Sequence, residues 1–325
     1  MKFRPPMPIA KIAALALALV AAQPASPAQS ALQKQHESEL AAAGQTLARV
    51  QSDATTAAAA DAARSDALKN KAVALKNLGR HAEALETIRQ AAQLAPDDLG
   101  VQMHMGIILD AGGAHREARA TYDAIFDALH NWRADRAALI KKGEKPESTP
   151  QDAVRSAVAL ALPRNSALNH VFLENHAKAL AQFTSDYEAN IHDSKGNDDS
   201  DYDACWLLWL TAKNRALESM KADVAVERLA GTLLAASPCH KEMMKLWSGK
   251  GHWQEIVAAI NGMEVSDAEK ENLLAGARFF AAGYYRYVKN DAETALELLD
   301  AEAARPFDGC VERLFIRKEL AALRK

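Results

Sequence analysis

The sequence predicts an all-α protein built from antiparallel helical hairpins, and three observations carry that expectation. Alanine makes up about a fifth of the 325 residues, while Gly (15) and Pro (11) are sparse. Alanine is the best helix former and a poor strand former. A 34-residue spacing recurs, from Gly79 to Gly113, Ala84 to Ala118 and Leu75 to Leu109, as expected when one supersecondary unit is repeated. No run alternates with strand period between turn residues.

Residues 1–22 read as a signal peptide. Lys2, Arg4 and Lys11 form a basic start, Ile12 to Ala22 is an eleven-residue apolar run, and small residues follow. That run covers about half the hydrocarbon core, too little for a spanning helix. Cleavage is expected at Val20-Ala21-Ala22 or Ser26-Pro27-Ala28, placing the product in the periplasm or outside the cell. Removing the three cations takes the formal charge from −3 to −6. No basic excess is left for a nucleic-acid backbone, and no later stretch is long and apolar enough to span a membrane. Residues 23–64 form an Ala/Gln-rich segment, helical or flexible, with Leu32, Leu40, Leu47 and Val50 as one thin apolar stripe.

The pattern sharpens over residues 65–140. One helix is expected from Asp66 to Leu78, stopped by Gly79, and a second from His81 to Leu94, stopped before Pro96. The scheme repeats as Leu99 to Ala111, a Gly112-Gly113 turn, and Ala114 to Leu129. The first unit carries Ala72, Leu75, Gly79, Ala84, Ile88, Ala91 and Pro96. The second carries Gly106, Leu109, Gly113, Ala118 and Tyr122, with Ile125 and His130 replacing the later small residue and the proline. At these positions the chain resembles the tetratricopeptide repeat (TPR) superfamily. The resemblance implies hairpins stacked as a right-handed superhelix, degenerate in the C-terminal half. It also implies that Lys69, Val73, Lys76, Asn77, Met103, His104, Ile107 and Asp110 line a concave partner-binding groove. Val73 stands where the carboxylate-clamp type of the family has Asn, which argues against recognition of a chain end.

Residues 141–152 (KKGEKPESTPQD) read as a linker, and 153–325 as a degenerate α-helical repeat domain. Helices are expected at Ala153–Leu162, Ser166–Ile191, Ala204–Met220, Ala222–Ala236, His240–Trp247 and His252–Met263. Gly283, Ala295 and Leu299 fit a further unit at Gly276 to Gly309. Val311 to Arg324 would close the array with its charges outward. The aromatic residues concentrated here (Trp206, Trp209, Phe279, Phe280, Tyr284, Tyr285, Tyr287) are expected to pack between hairpins. Cys205 and Cys239 are 34 residues apart, so stacked units would hold them too far apart to bridge, with Cys310 beyond reach of either.

Chemical motifs are incomplete. Asp199, Asp201 and Asp203 alternate, but the Gly and Glu that a calcium loop needs are missing; helix capping near Ala204 is the expected role. His170, Glu174 and His176 lack zincin spacing, and Cys239, His240 and His252 form a poor zinc set. Ser248-Gly249-Lys250-Gly251 is no phosphate loop, there is no nucleophile elbow, and Cys310 has no assignable base. No cofactor or metal is expected, and catalysis is not. The expectation is an exported helical-repeat protein that binds another protein or peptide segment. An envelope assembly factor, an adaptor and a toxin-immunity protein are examples. The alternatives are a metal-dependent or hydrolytic enzyme with its site in 153–325, and a small-ligand-binding helical protein.

Overall fold

The computed structural model describes residues 27–53, 57–190, 198–217, 223–303, 305 and 310–324. The expected signal peptide at 1–22 lies outside them. All regular structure among the described residues is α-helical, in fourteen helices. They are α1 (Pro27–Asp53), α2 (Ala57–Asn77), α3 (His81–Leu94), α4 (Leu99–Ala111), α5 (His115–Lys141), α6 (Pro150–Phe172) and α7 (His176–Asn190). The second half adds α8 (Asp198–Leu217), α9 (Asp223–Ala230), α10 (Pro238–Trp247), α11 (Trp253–Asn261), α12 (Asp267–Tyr287), α13 (Ala292–Ala303) and α14 (Glu312–Leu323).

Local chemistry explains the turns. Gly79 (φ 72°) and Gly113 (φ 85°) take the left-handed conformation that ends α2 and α4. At each, the next N–H reaches back to close the helix: Arg80 N–H to Leu75 O at 2.9 Å and Ala114 N–H to Leu109 O at 2.8 Å. Such a cap satisfies carbonyls that the helix end leaves open. Asp98 starts α4 by accepting from Gly100 and Val101 N–H. Thr149 and Asp152 start α6 with a reciprocal capping box, with Pro150 in its first turn.

Each helix packs against the next in sequence, and α4 also packs against both α2 and α6. Ala72, Leu75, Ala84, Ile88 and Ala91 form one buried cluster, reached by Leu40 and Leu47 of α1. Met103, Leu109, Ala118, Tyr122, Ile125 and Leu162 form the next. The largest runs from Ala167 to Leu320 around Trp206, Trp209, Phe279 and Phe315. The aromatic residues therefore do pack between helices. Trp206 and Trp209 are fully buried and cross edge-on, centroids 5.5 Å apart.

Several boundaries differ from those read in the sequence. α2 begins nine residues before Asp66, because the run Ala57 to Ala63 favours helix wherever it can continue one. α6 runs through Pro163, burying Leu162 on one side of it and Ala167 on the other. α9 stops at Ala230, and residues 231–237 form a loop. Asp201 and Asp203 do not cap α8. They are fully buried within it, where Asp201 accepts from Ala236 and Ser237 N–H and Asp203 pairs with Arg164. Nor does α14 turn its charges outward: Glu312, Arg313 and Glu319 are buried.

Long-range contacts fold the two ends of the chain inward. α1 packs on α12, and α14 packs on both α12 and α13. Phe315 of α14 stacks on Phe172 at the end of α6, centroids 4.1 Å apart. Phe172 stacks in turn on His115, at 4.4 Å. Lys318 donates to Phe172 O at 2.9 Å. This return brings Cys310 into the cavity lined by Cys205 and Cys239, correcting the expectation that it lies beyond reach. The three cysteines are buried and unbridged. Among the described residues no helix is long and apolar enough to cross a membrane.

Candidate functional site

The eight residues expected to line a groove divide by burial and by partner. Met103 is buried in the second core cluster, and Ile107 packs against it. Asp110 is also buried. Its carboxylate accepts from Asn169 Nδ2 at 2.8 Å, His115 Nδ1 at 3.0 Å and Tyr122 OH at 3.2 Å. Burial pushes that carboxyl above its ordinary value, and these donors work against the rise. Asp110 thus ties α4 to α5 and α6 from the inside. Val73 is half-buried on α2.

Lys69, Lys76 and His104 form an electrostatic group. Lys69 pairs with Asp66 on its own helix. Lys76 is half-buried, and its ammonium makes no hydrogen bond or ion pair among the described residues. Burial alone holds its amine below the ordinary lysine value. Beside it on α2, Asn77 Oδ1 is buried and receives no hydrogen bond. His104 Nδ1–H donates to Gly100 O at 2.8 Å. Burial lowers its imidazole, and the charges of Lys69 and Lys76 lower it further. His81, at the start of α3, is lowered by burial and by Lys76 and Arg317. The sequence offered no signal for Arg317, which α14 brings from the other end of the chain. An ammonium drawn out of water without a counter-ion is unfavourable, so this end of α2 is a place where an incoming carboxylate gains.

A second feature lies in the C-terminal half. A cavity of about 610 Å³ is bounded by α8, α10, α11, α12 and the start of α14. Its apolar wall includes Ile256, Ile260, Met263, Leu273 and Phe280. All three cysteines reach its polar side, together with Ser237, His240 and Glu312. Glu312 accepts from Tyr202 OH at 2.6 Å and from the Cys310 thiol at 3.1 Å.

The histidine sets named from sequence straddle helix ends. His170 lies near the end of α6, Glu174 in the following turn, and His176 is buried at the start of α7. His252 caps α11, while Cys239 and His240 open α10. Among the described residues no three His, Cys, Asp or Glu side chains are arranged to hold a metal ion. No protein-family model matches the chain, and no curated protein is significantly similar to it.

Proposed function

We propose that this chain is an exported, non-catalytic helical-repeat protein of TPR-like architecture. It binds a segment of another protein in the groove that α2 and α4 share. The observation that carries this reading is Lys76. It is a half-buried ammonium neighboured by Lys69, His81 and His104, with no anion bonded to it among the described residues. The segment that suits such a place carries a carboxylate, from Asp or Glu within the chain rather than from its end. The repeated small positions support the repeat architecture, since Ala72, Ala84, Ala91 and Ala118 are all fully buried where helices meet. The basic, then apolar, N-terminal sequence supports export.

Fluorescence anisotropy with labelled decapeptides tests the reading. Peptides rich in Asp and Glu are compared with the same sequences carrying Asn and Gln. The acidic set is expected to bind, and to weaken as salt rises. Lys76→Gln is expected to reduce affinity by about tenfold, or about 1.4 kcal/mol. Equal binding of the acidic and amide peptides would overturn the assignment.

A further inference from the structure

The sulfur atoms around the C-terminal cavity are not equivalent. α10 opens with Ser237-Pro238-Cys239-His240. Pro238 occupies the first turn, where its missing N–H is not needed. Ser237 stands at the capping position, yet its hydroxyl makes no cap. It lies 2.6 Å from His240 Nδ1 and 3.5 Å from Cys239 Sγ. With Nδ1 protonated, the imidazole donates to Ser237 Oγ, and the hydroxyl proton points at sulfur. His240 Nδ1 is itself 3.7 Å from Sγ.

Asp201 of α8 fixes this array. It accepts from Ala236 N–H at 2.7 Å and Ser237 N–H at 2.8 Å, and lies 3.5 Å from His240 Nδ1. A charged imidazole beside the sulfur therefore has its own counter-ion. The helix N-terminus adds partial positive charge. Burial pushes the Cys239 thiol up, but hydrogen bonds from His240 and Ser237 and the His240 charge outweigh it and leave the thiol below its ordinary value. Cys205 is the opposite case, pushed well up by burial and by neighbouring acids. The Cys310 thiol donates a hydrogen bond to the Glu312 carboxylate. One of the three sulfurs is built to ionise.

That sulfur borders a cavity whose volume and mostly apolar wall suit a small molecule. Asn272 Oδ1, also in the lining, is buried and receives no hydrogen bond. A cavity of this size admits small reagents.

We propose that Cys239 is a covalent capture site for a low-molecular-mass disulfide bearing an apolar substituent, which the cavity holds. The Cys239 thiolate attacks one sulfur of R–S–S–R. A new Sγ–S bond forms as the S–S bond of the reagent breaks. The second sulfur leaves as RS⁻ and takes a proton from solvent. The reagent is reduced at one sulfur, and Cys239 is oxidised to the mixed disulfide.

The experiment exposes the native full-length chain to dipropyl disulfide and, separately, to bis(2-hydroxyethyl) disulfide, a polar reagent of similar size. Adducts are located by intact and peptide mass spectrometry. A single propylthio adduct on Cys239, reversed by reductant, is the expected result. It should form about tenfold faster than the hydroxyethyl adduct, and about tenfold slower in His240→Gln. Cys239→Ala should abolish it, and the double variant Cys205→Ala, Cys310→Ala, checked for helicity, should retain it. The proposal is overturned by comparable modification of Cys205 or Cys310, by no adduct before unfolding, or by equal rates for the two reagents.

Discussion

Gly106 and Gly283 have no room for a β-carbon. At Gly106 it would lie 2.4 Å from Tyr122 Cε1, and at Gly283 2.3 Å from Trp209 Cδ1. Both rings are buried and cannot swing away. Gly106→Ala or Gly283→Ala should therefore cost about 1–3 kcal/mol by overpacking, measured by urea unfolding. Gly44, in α1, meets nothing within 4 Å. There Gly44→Ala should stabilise by about 0.5–1 kcal/mol, since only helix propensity changes. His176 gives a titration test. Burial, with the nearby Lys213 and Lys318, lowers its imidazole to about 4. The unfolded chain then binds the proton more readily, so stability is complete above about pH 6.5 and falls as pH drops toward 4. Wild type should lose about 1–2 kcal/mol across that window relative to His176→Gln, allowing for screening. His81, His104 and His170 are also lowered, but they are common to both proteins and cancel in the difference.

Turns show how much of an element is legible in sequence. Gly79 and Gly113 announce their helix ends because glycine enters the left-handed region without penalty. The turn between α6 and α7 has the same hydrogen bonds, Glu174 N–H to Val171 O and Asn175 N–H to His170 O. Glutamate occupies its left-handed position, at φ 61°. Nothing in the residue type marks that place, so the hairpin escaped the 34-residue pattern and one helix was expected from Ser166 onward. Glu174→Gly should relieve the strain and stabilise by about 1 kcal/mol. The exposed pair with Lys318, at 3.2 Å, offsets little of that gain. Calorimetry of the single variant checks it. Pro163 misled in the other direction: proline usually ends a helix, yet the apolar residues flanking it anchor both sides of α6 in buried clusters. The acids of α8 read as caps because their spacing shows no partner. The Arg164 and loop N–H groups that bury them come from other elements.

The helical class and the close-packed hairpins of residues 65–140 follow from local pattern, whereas the arrangement of the second half does not. What folds the ends inward is a set of contacts between distant residues: α1 against α12, and Phe315 against Phe172. No periodicity encodes such pairs. The same distance in sequence explains the candidate site. Lys69, Lys76 and His104 were readable from the repeat register, but His81 and Arg317 join them only in the folded chain. The functional reading rests on a half-buried cation with no partner among the described residues. The direct measurement is NMR titration of the Lys76 side chain with and without a bound acidic decapeptide. In the free protein the amine should titrate below the ordinary lysine value, and it should move upward when the acidic peptide, but not its amide counterpart, is added. An ordinary lysine titration, unmoved by either peptide, would contradict the groove as the binding site.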